Sequence, residues 1–89
     1  MSEIIIFGSR DCPSWERTQH VRDRLERDDE IPLPVKILDP VEHEEQFREY
    51  GLAICPSMVV GDEVISVGPP HFDSVKENIL AQMQSRADE

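Results

Sequence analysis

The chain is poor in positive charge. Nine Lys+Arg stand against nineteen Asp+Glu, a formal net charge of −10, and Lys36 and Lys76 are its only lysines. Phosphate recognition rests on clustered cationic side chains, so no nucleic acid is expected as a partner. An anionic membrane surface is disfavoured for the same reason. No apolar run approaches the ~20 residues of a membrane-spanning helix. Glu3 precedes the first apolar run and no basic stretch leads it, so it does not read as a signal peptide. The cytoplasm is the expected compartment. Glycine is scarce, at four residues, and no Gly-rich phosphate loop, dinucleotide fingerprint or nucleophile elbow is present. There are two cysteines, Cys12 and Cys55, too few for a secreted disulfide scaffold. Neither His20, His43 nor His71 stands at ligand spacing from a cysteine, so no metal is expected.

What is present fits one small domain over residues 1–89, with a core spanning about residues 3–84. Ile4-Ile5-Ile6-Phe7, closed by Gly8, reads as a strand covered on both faces, because its apolarity is continuous rather than alternating. After Cys12, Pro13 fits the first helical position, and Trp15, Thr18, Val21 and Leu25 form one helical stripe. That helix should end near Asp28-Asp29-Glu30. Leu33 to Leu38 reads as a second strand. Asp39 can cap a second helix with Pro40 at its first position, with Val41, Phe47 and Tyr50 on the apolar side and Gly51 as a left-handed C-cap. Ser57–Val60, a Gly61-Asp62 turn and Glu63–Val67 read as a hairpin. Phe72, Val75, Ile79, Leu80 and Met83 mark the last helix, with a frayed tail from Ser85. The order β-α-β-α-β-β-α implies an α/β fold, a mixed four-stranded sheet with three helices. The acidic group Glu42, Glu44, Glu45 and Glu49 reads as a solvated helix face.

Cys12 lies just past a strand end and just before a helix. Strand ends are where open α/β sheets carry their sites, and the positive end of a helix favours thiolate, the reactive form. Arg10 adds positive charge, while Asp11 and Glu16 oppose it. The plainer alternative is a small buried residue that happens to precede a helix.

The strand, the short loop and Cys12-Pro13-Ser14-Trp15 before a helix resemble the start of a thioredoxin or glutaredoxin domain. Ile54-Cys55-Pro56-Ser57 resembles the cis-proline segment that opens the third strand of that superfamily, and Val67-Gly68 resembles its glycine before the last helix. The resemblance implies a thioredoxin-like fold and a small thiol–disulfide oxidoreductase. Cys12 would be the nucleophile, and Pro56 would shape the substrate groove with Pro13, Ser14 and Arg10. Trp15 replaces the second cysteine of Cys-x-x-Cys, and that missing thiol would normally resolve the mixed disulfide. Cys55 precedes the implied cis-proline, which in this fold lies beside the nucleophile, so it becomes the candidate resolving thiol; a buried small side chain is the other reading of it. Glutathione is the natural partner of glutaredoxin-like proteins. Here Pro69 and Pro70 remove two backbone donors and the net charge repels an anionic tripeptide, so no cofactor is expected. The implied partner is a disulfide-bearing protein or a small thiol, met by a monomer. The competing reading is a non-catalytic binding module, or a dithiolate carrier of a soft metal.

Overall fold

In a computed structural model describing residues 3–87, the chain forms β1 (Ile4–Phe7), α1 (Trp15–Arg27), β2 (Val35–Leu38), α2 (Glu44–Glu49), β3 (Ser57–Val60), β4 (Glu63–Val67) and α3 (Phe72–Ala87). The fold is α/β, a mixed four-stranded sheet with three helices, in strand order β2-β1-β3-β4. β1 pairs in parallel with β2, Ile4 facing Val35, and antiparallel with β3, Ile4 facing Val60. β3 and β4 form the hairpin, turned at Gly61 with φ 59°. Its register slips between Met58 and Val59, leaving Ile65 as an extra residue on β4.

Burial explains the unbroken apolar run of β1. Alternate side chains point to opposite faces. Ile4 and Ile6 join Val21 and Leu25 of α1 and Val75 and Ile79 of α3. Ile5 and Phe7 join Leu52 and Val59 on the other face, packed by Phe47 and Tyr50. The Phe7 ring meets Phe47 edge-on at 5.3 Å between centroids. Tyr50 lies 5.9 Å from Phe7 and donates its hydroxyl to the Gly61 carbonyl at 3.0 Å, tying α2 to the hairpin turn.

Several boundaries differ from the sequence expectation. Pro13 is not the first helical residue: Ser14 takes a left-handed conformation, φ 61°, so α1 starts only at Trp15. β2 begins at Val35 rather than Leu33, after Pro34, whose carbonyl accepts the Ile4 N–H at 2.8 Å. Asp39 does cap, accepting the Val41 N–H at 2.8 Å, but that bond holds a turn, and the regular helix starts at Glu44, not Pro40. Val41 is therefore 80% exposed instead of lying on the apolar side. Gly51, φ 74°, ends α2 with its N–H on the Arg48 carbonyl and the Leu52 N–H on that of Phe47, a Schellman closure. The last helix continues through Ala87, past Ser85 where a frayed tail was expected; residues 88–89 lie outside the described residues. Among the described residues no helix is long and apolar enough to cross a membrane.

Lys76 on α3 reaches back to the end of α1. Its ammonium lies 2.8 Å from Asp28 and 3.2 Å from Glu30. The Lys76 hydrogen bond, helped by the Glu30 N–H, holds the Asp28 carboxyl below its ordinary value; bonds to Asp28 and Glu30 raise Lys76.

Two outcomes follow. Phe7→Ala removes a fully buried ring and is expected to lower unfolding stability by about 3–5 kcal/mol, read by denaturant titration. Lys76→Met should be less stable than wild type by an amount that stays constant around neutral pH. The Asp28 share of that difference is present above the unfolded carboxyl value and vanishes as pH falls below about 4 through the lowered folded value. The Lys76 share is present below the ordinary lysine value and vanishes as pH rises through the raised one. Parallel unfolding curves at every pH would contradict this.

Candidate functional site

The site is built where β1 and β3 meet the loops at one end of the sheet. Gly8 extends the β1–β2 ladder by one bond, its N–H to the Leu38 carbonyl at 3.0 Å, and the chain then leaves the sheet. Ser9 organises the loop that follows. Its carbonyl accepts the Cys12 N–H at 3.0 Å, and its hydroxyl accepts the Asp11 N–H at 3.2 Å. The chain turns again at Ser14, whose carbonyl accepts both the Thr18 N–H and the Thr18 hydroxyl at 2.9 Å. This satisfies the fully buried Thr18 and launches α1.

The opposite wall is the segment entering β3. Phe7 faces Ser57 in the ladder, so the residues after Phe7 lie beside those before Ser57. The Cys55–Pro56 peptide is cis. The Pro56 carbonyl accepts the Gly68 N–H at 2.8 Å, and the Ser57 hydroxyl donates to the Ile54 carbonyl. Both bonds fix the segment to the sheet. A Cβ placed on Gly8 would lie 3.5 Å from the Trp15 ring and 3.8 Å from Pro56 Cβ. Gly8 therefore sits between the two walls, close against the Trp15 ring.

Cys12 and Cys55, 43 residues apart, are joined by a disulfide with Cα atoms 5.7 Å apart. That separation is within the ordinary range for a bridged pair. Cys12 is buried, 7% exposed, and Cys55 is half-buried. Arg10, Pro13 and Ser14 stand exposed around Cys12, and Pro56 is buried beneath. Arg10 forms no ion pair among the described residues. Ile54 and Val67, exposed at 56% and 53%, border the Cys55-Pro56 segment, Val67 opposite Ser57 in the ladder.

One contact was missed in the sequence. Ser9 Oγ lies 3.7 Å from Cys12 Sγ. The available signal was a serine two residues before Asp11, the spacing of a hydroxyl-closed turn. The three histidines do not join the cysteines, and the described residues hold no cluster of three His, Cys, Asp or Glu side chains.

The disulfide closes a loop of 43 residues between the site loop and β3. In the chain-entropy view such a closure stabilises the folded state by about 4 kcal/mol. Reduced protein should therefore unfold at markedly lower denaturant concentration than oxidised protein. Equal midpoints would mean that the two sulfurs are not joined in solution. The chain matches no protein-family model, and no match to it is found among curated proteins.

Proposed function

We propose that this chain is a thioredoxin-like thiol–disulfide oxidoreductase whose working couple is Cys12 and Cys55. The observation that carries the reading is the bridge between two cysteines from distant parts of the sequence, held by loops at one end of the sheet. The sheet order, the parallel β1–β2 pair and the cis peptide before Pro56 support the thioredoxin-like assignment. The Cys12–Cys55 pair supplies the second thiol that Trp15 displaces from the usual motif.

The chemistry is a two-electron exchange. In the reduced protein, a thiolate of the pair attacks a substrate disulfide and releases one substrate thiolate. The second thiolate of the pair then attacks the first cysteine's own sulfur in that mixed disulfide, which releases the other substrate thiolate and closes the Cys12–Cys55 bond. A dithiol, or two monothiols, returns the pair to its reduced form. Run backwards, the same steps oxidise a substrate dithiol. The partner is a disulfide-bearing protein or a small thiol. Ile54, next to Cys55 in the chain, and Val67, opposite Ser57, give a polypeptide partner apolar surface along the Cys55-Pro56 segment. Gly68 N–H is already engaged by Pro56, and Pro69 and Pro70 offer none, so a bound glutathione would find few backbone donors there. The compartment that fits this reading is the cytoplasm, whose thiol pool would supply the electrons that return the pair to its dithiol form.

The test is equilibration in glutathione redox buffers, followed by alkylation and intact mass. A species lacking two hydrogens and resisting alkylation should grow as the buffer becomes more oxidising. Cys12→Ser and Cys55→Ser should each abolish that species and the catalysed reduction of a protein disulfide. Two free thiols at every poise, or unchanged turnover in Cys12→Ser, would remove the oxidoreductase reading.

A further inference from the structure

The Ser9 hydroxyl touches two groups. Its oxygen accepts the Asp11 N–H at 3.2 Å and lies 3.7 Å from Cys12 Sγ. A hydroxyl carries one hydrogen and two acceptor sites. Within the disulfide Cys12 has no S–H, so the hydrogen in that contact belongs to Ser9. The Asp11 N–H occupies an acceptor site and leaves the hydroxyl hydrogen to the sulfur. Such a bond is weak while the sulfur is neutral. Hydrogen bonds to ionised groups are roughly twice as strong as neutral ones, so it tightens if Cys12 becomes a thiolate.

The two sulfurs of the bridge are thus unequal. Cys12 has the hydroxyl donor and lies two residues ahead of Ser14, the cap of α1, where the side chain makes no capping bond and the first-turn N–H groups stay uncapped. It is also the buried member, 7% exposed, while Cys55 is half-buried and follows Ile54, exposed at 56%. In thiol–disulfide exchange the attacking thiolate releases the sulfur that leaves more easily, and the sulfur it bonds must be reachable.

We propose that Ser9 is a positioning residue that holds Cys12 as the leaving thiolate, so that a partner meets the protein first at Cys55. This rests on the oxidoreductase reading and reverses the division of labour implied by the family resemblance, in which Cys12 meets the partner. In the oxidised protein the partner thiolate attacks Cys55 Sγ. The Cys12–Cys55 bond breaks, its electron pair stays on Cys12, and a partner–Cys55 disulfide forms. A second partner thiolate then attacks the partner sulfur of that mixed disulfide. Cys55 leaves as a thiolate and takes a proton from solvent. Two partner thiolates have become one disulfide, and the protein has gained two electrons. In the reducing direction Cys55 attacks and Cys12 resolves.

The experiment mixes oxidised wild-type protein with a limiting monothiol such as 2-mercaptoethanol. Acid quench, alkylation and peptide mapping then locate the two labels. The thiol should be found on Cys55 and the alkyl group on Cys12. Ser9→Ala keeps both cysteines. It should raise the Cys12 thiol titration in the reduced protein by about one pH unit, and slow opening of the bridge roughly three- to tenfold. Ser9→Thr, which retains the hydroxyl, should restore both, a rescue that a purely structural role of Ser9 would not give in the titration. Thiol mapped to Cys12, or a Ser9→Ala titration and rate equal to wild type, overturns the proposal while leaving the Cys12–Cys55 couple intact. A bridge that no thiol opens removes the oxidoreductase reading, and this proposal with it.

Discussion

Everything in this chain is hung on β1. Four consecutive apolar side chains, Ile4 to Phe7, are all buried, and they bury in two directions. Fully burying such side chains contributes on the order of 2 kcal/mol each. Ile4 and Ile6 carry the face shared by α1 and α3, and Ile5 and Phe7 carry the face packed by α2, while β3 beside it repeats the division with Met58 and Val60 on one face and Val59 on the other. β1 also sets the ladder on either side. Its parallel edge places β2, and its antiparallel edge brings Ser57, and with it Cys55, beside the exit of the strand. The proposed chemistry depends on that register. A strand slip of one residue would turn every side chain to the other face.

The site inherits its asymmetry from the two loops that build it. One is a short turn closed by Ser9, whose hydroxyl oxygen lies 3.7 Å from Cys12 Sγ. The other is fixed from the far side, through Pro56 to Gly68 and Ser57 to Ile54, and leaves apolar surface around Cys55. Two chemically identical cysteines thereby acquire different surroundings. On the proposal made above, that local hydrogen bond makes Cys12 the better leaving group without any charged neighbour being required.

Legibility in the sequence followed how local the deciding interaction is. The β1 run, the stripe Thr18-Val21-Leu25 and the Gly51 stop are written in nearest neighbours and in periodicity, and all three were readable. The start of α1 was not, because Cys-Pro suggests a helix opening while Ser14 takes a left-handed turn that no simple pattern announces. The start of α2 was misplaced because Asp39 caps a turn and a helix through the same carboxylate-to-N–H bond. Ile31 and Leu52 are buried from loops, where periodicity says nothing. The meeting of Cys12 with Cys55 is a long-range contact, and only the family resemblance brought the two together. Ser9 lay in plain view in a turn, and its partner sulfur became visible only with the loop folded.

The bridge also joins two quantities usually measured apart. A crosslink across 43 residues that favours folding by several kcal/mol must, by closure of the cycle, be favoured by folding to the same extent. At about 4 kcal/mol, the folded scaffold raises the effective concentration of each thiol at the other by roughly a thousandfold over the unfolded chain. The fold is then itself an oxidising influence on its two cysteines. Heat or denaturant acts as a reductant would, and the temperature at which the protein melts reads out the redox poise of the solution around it.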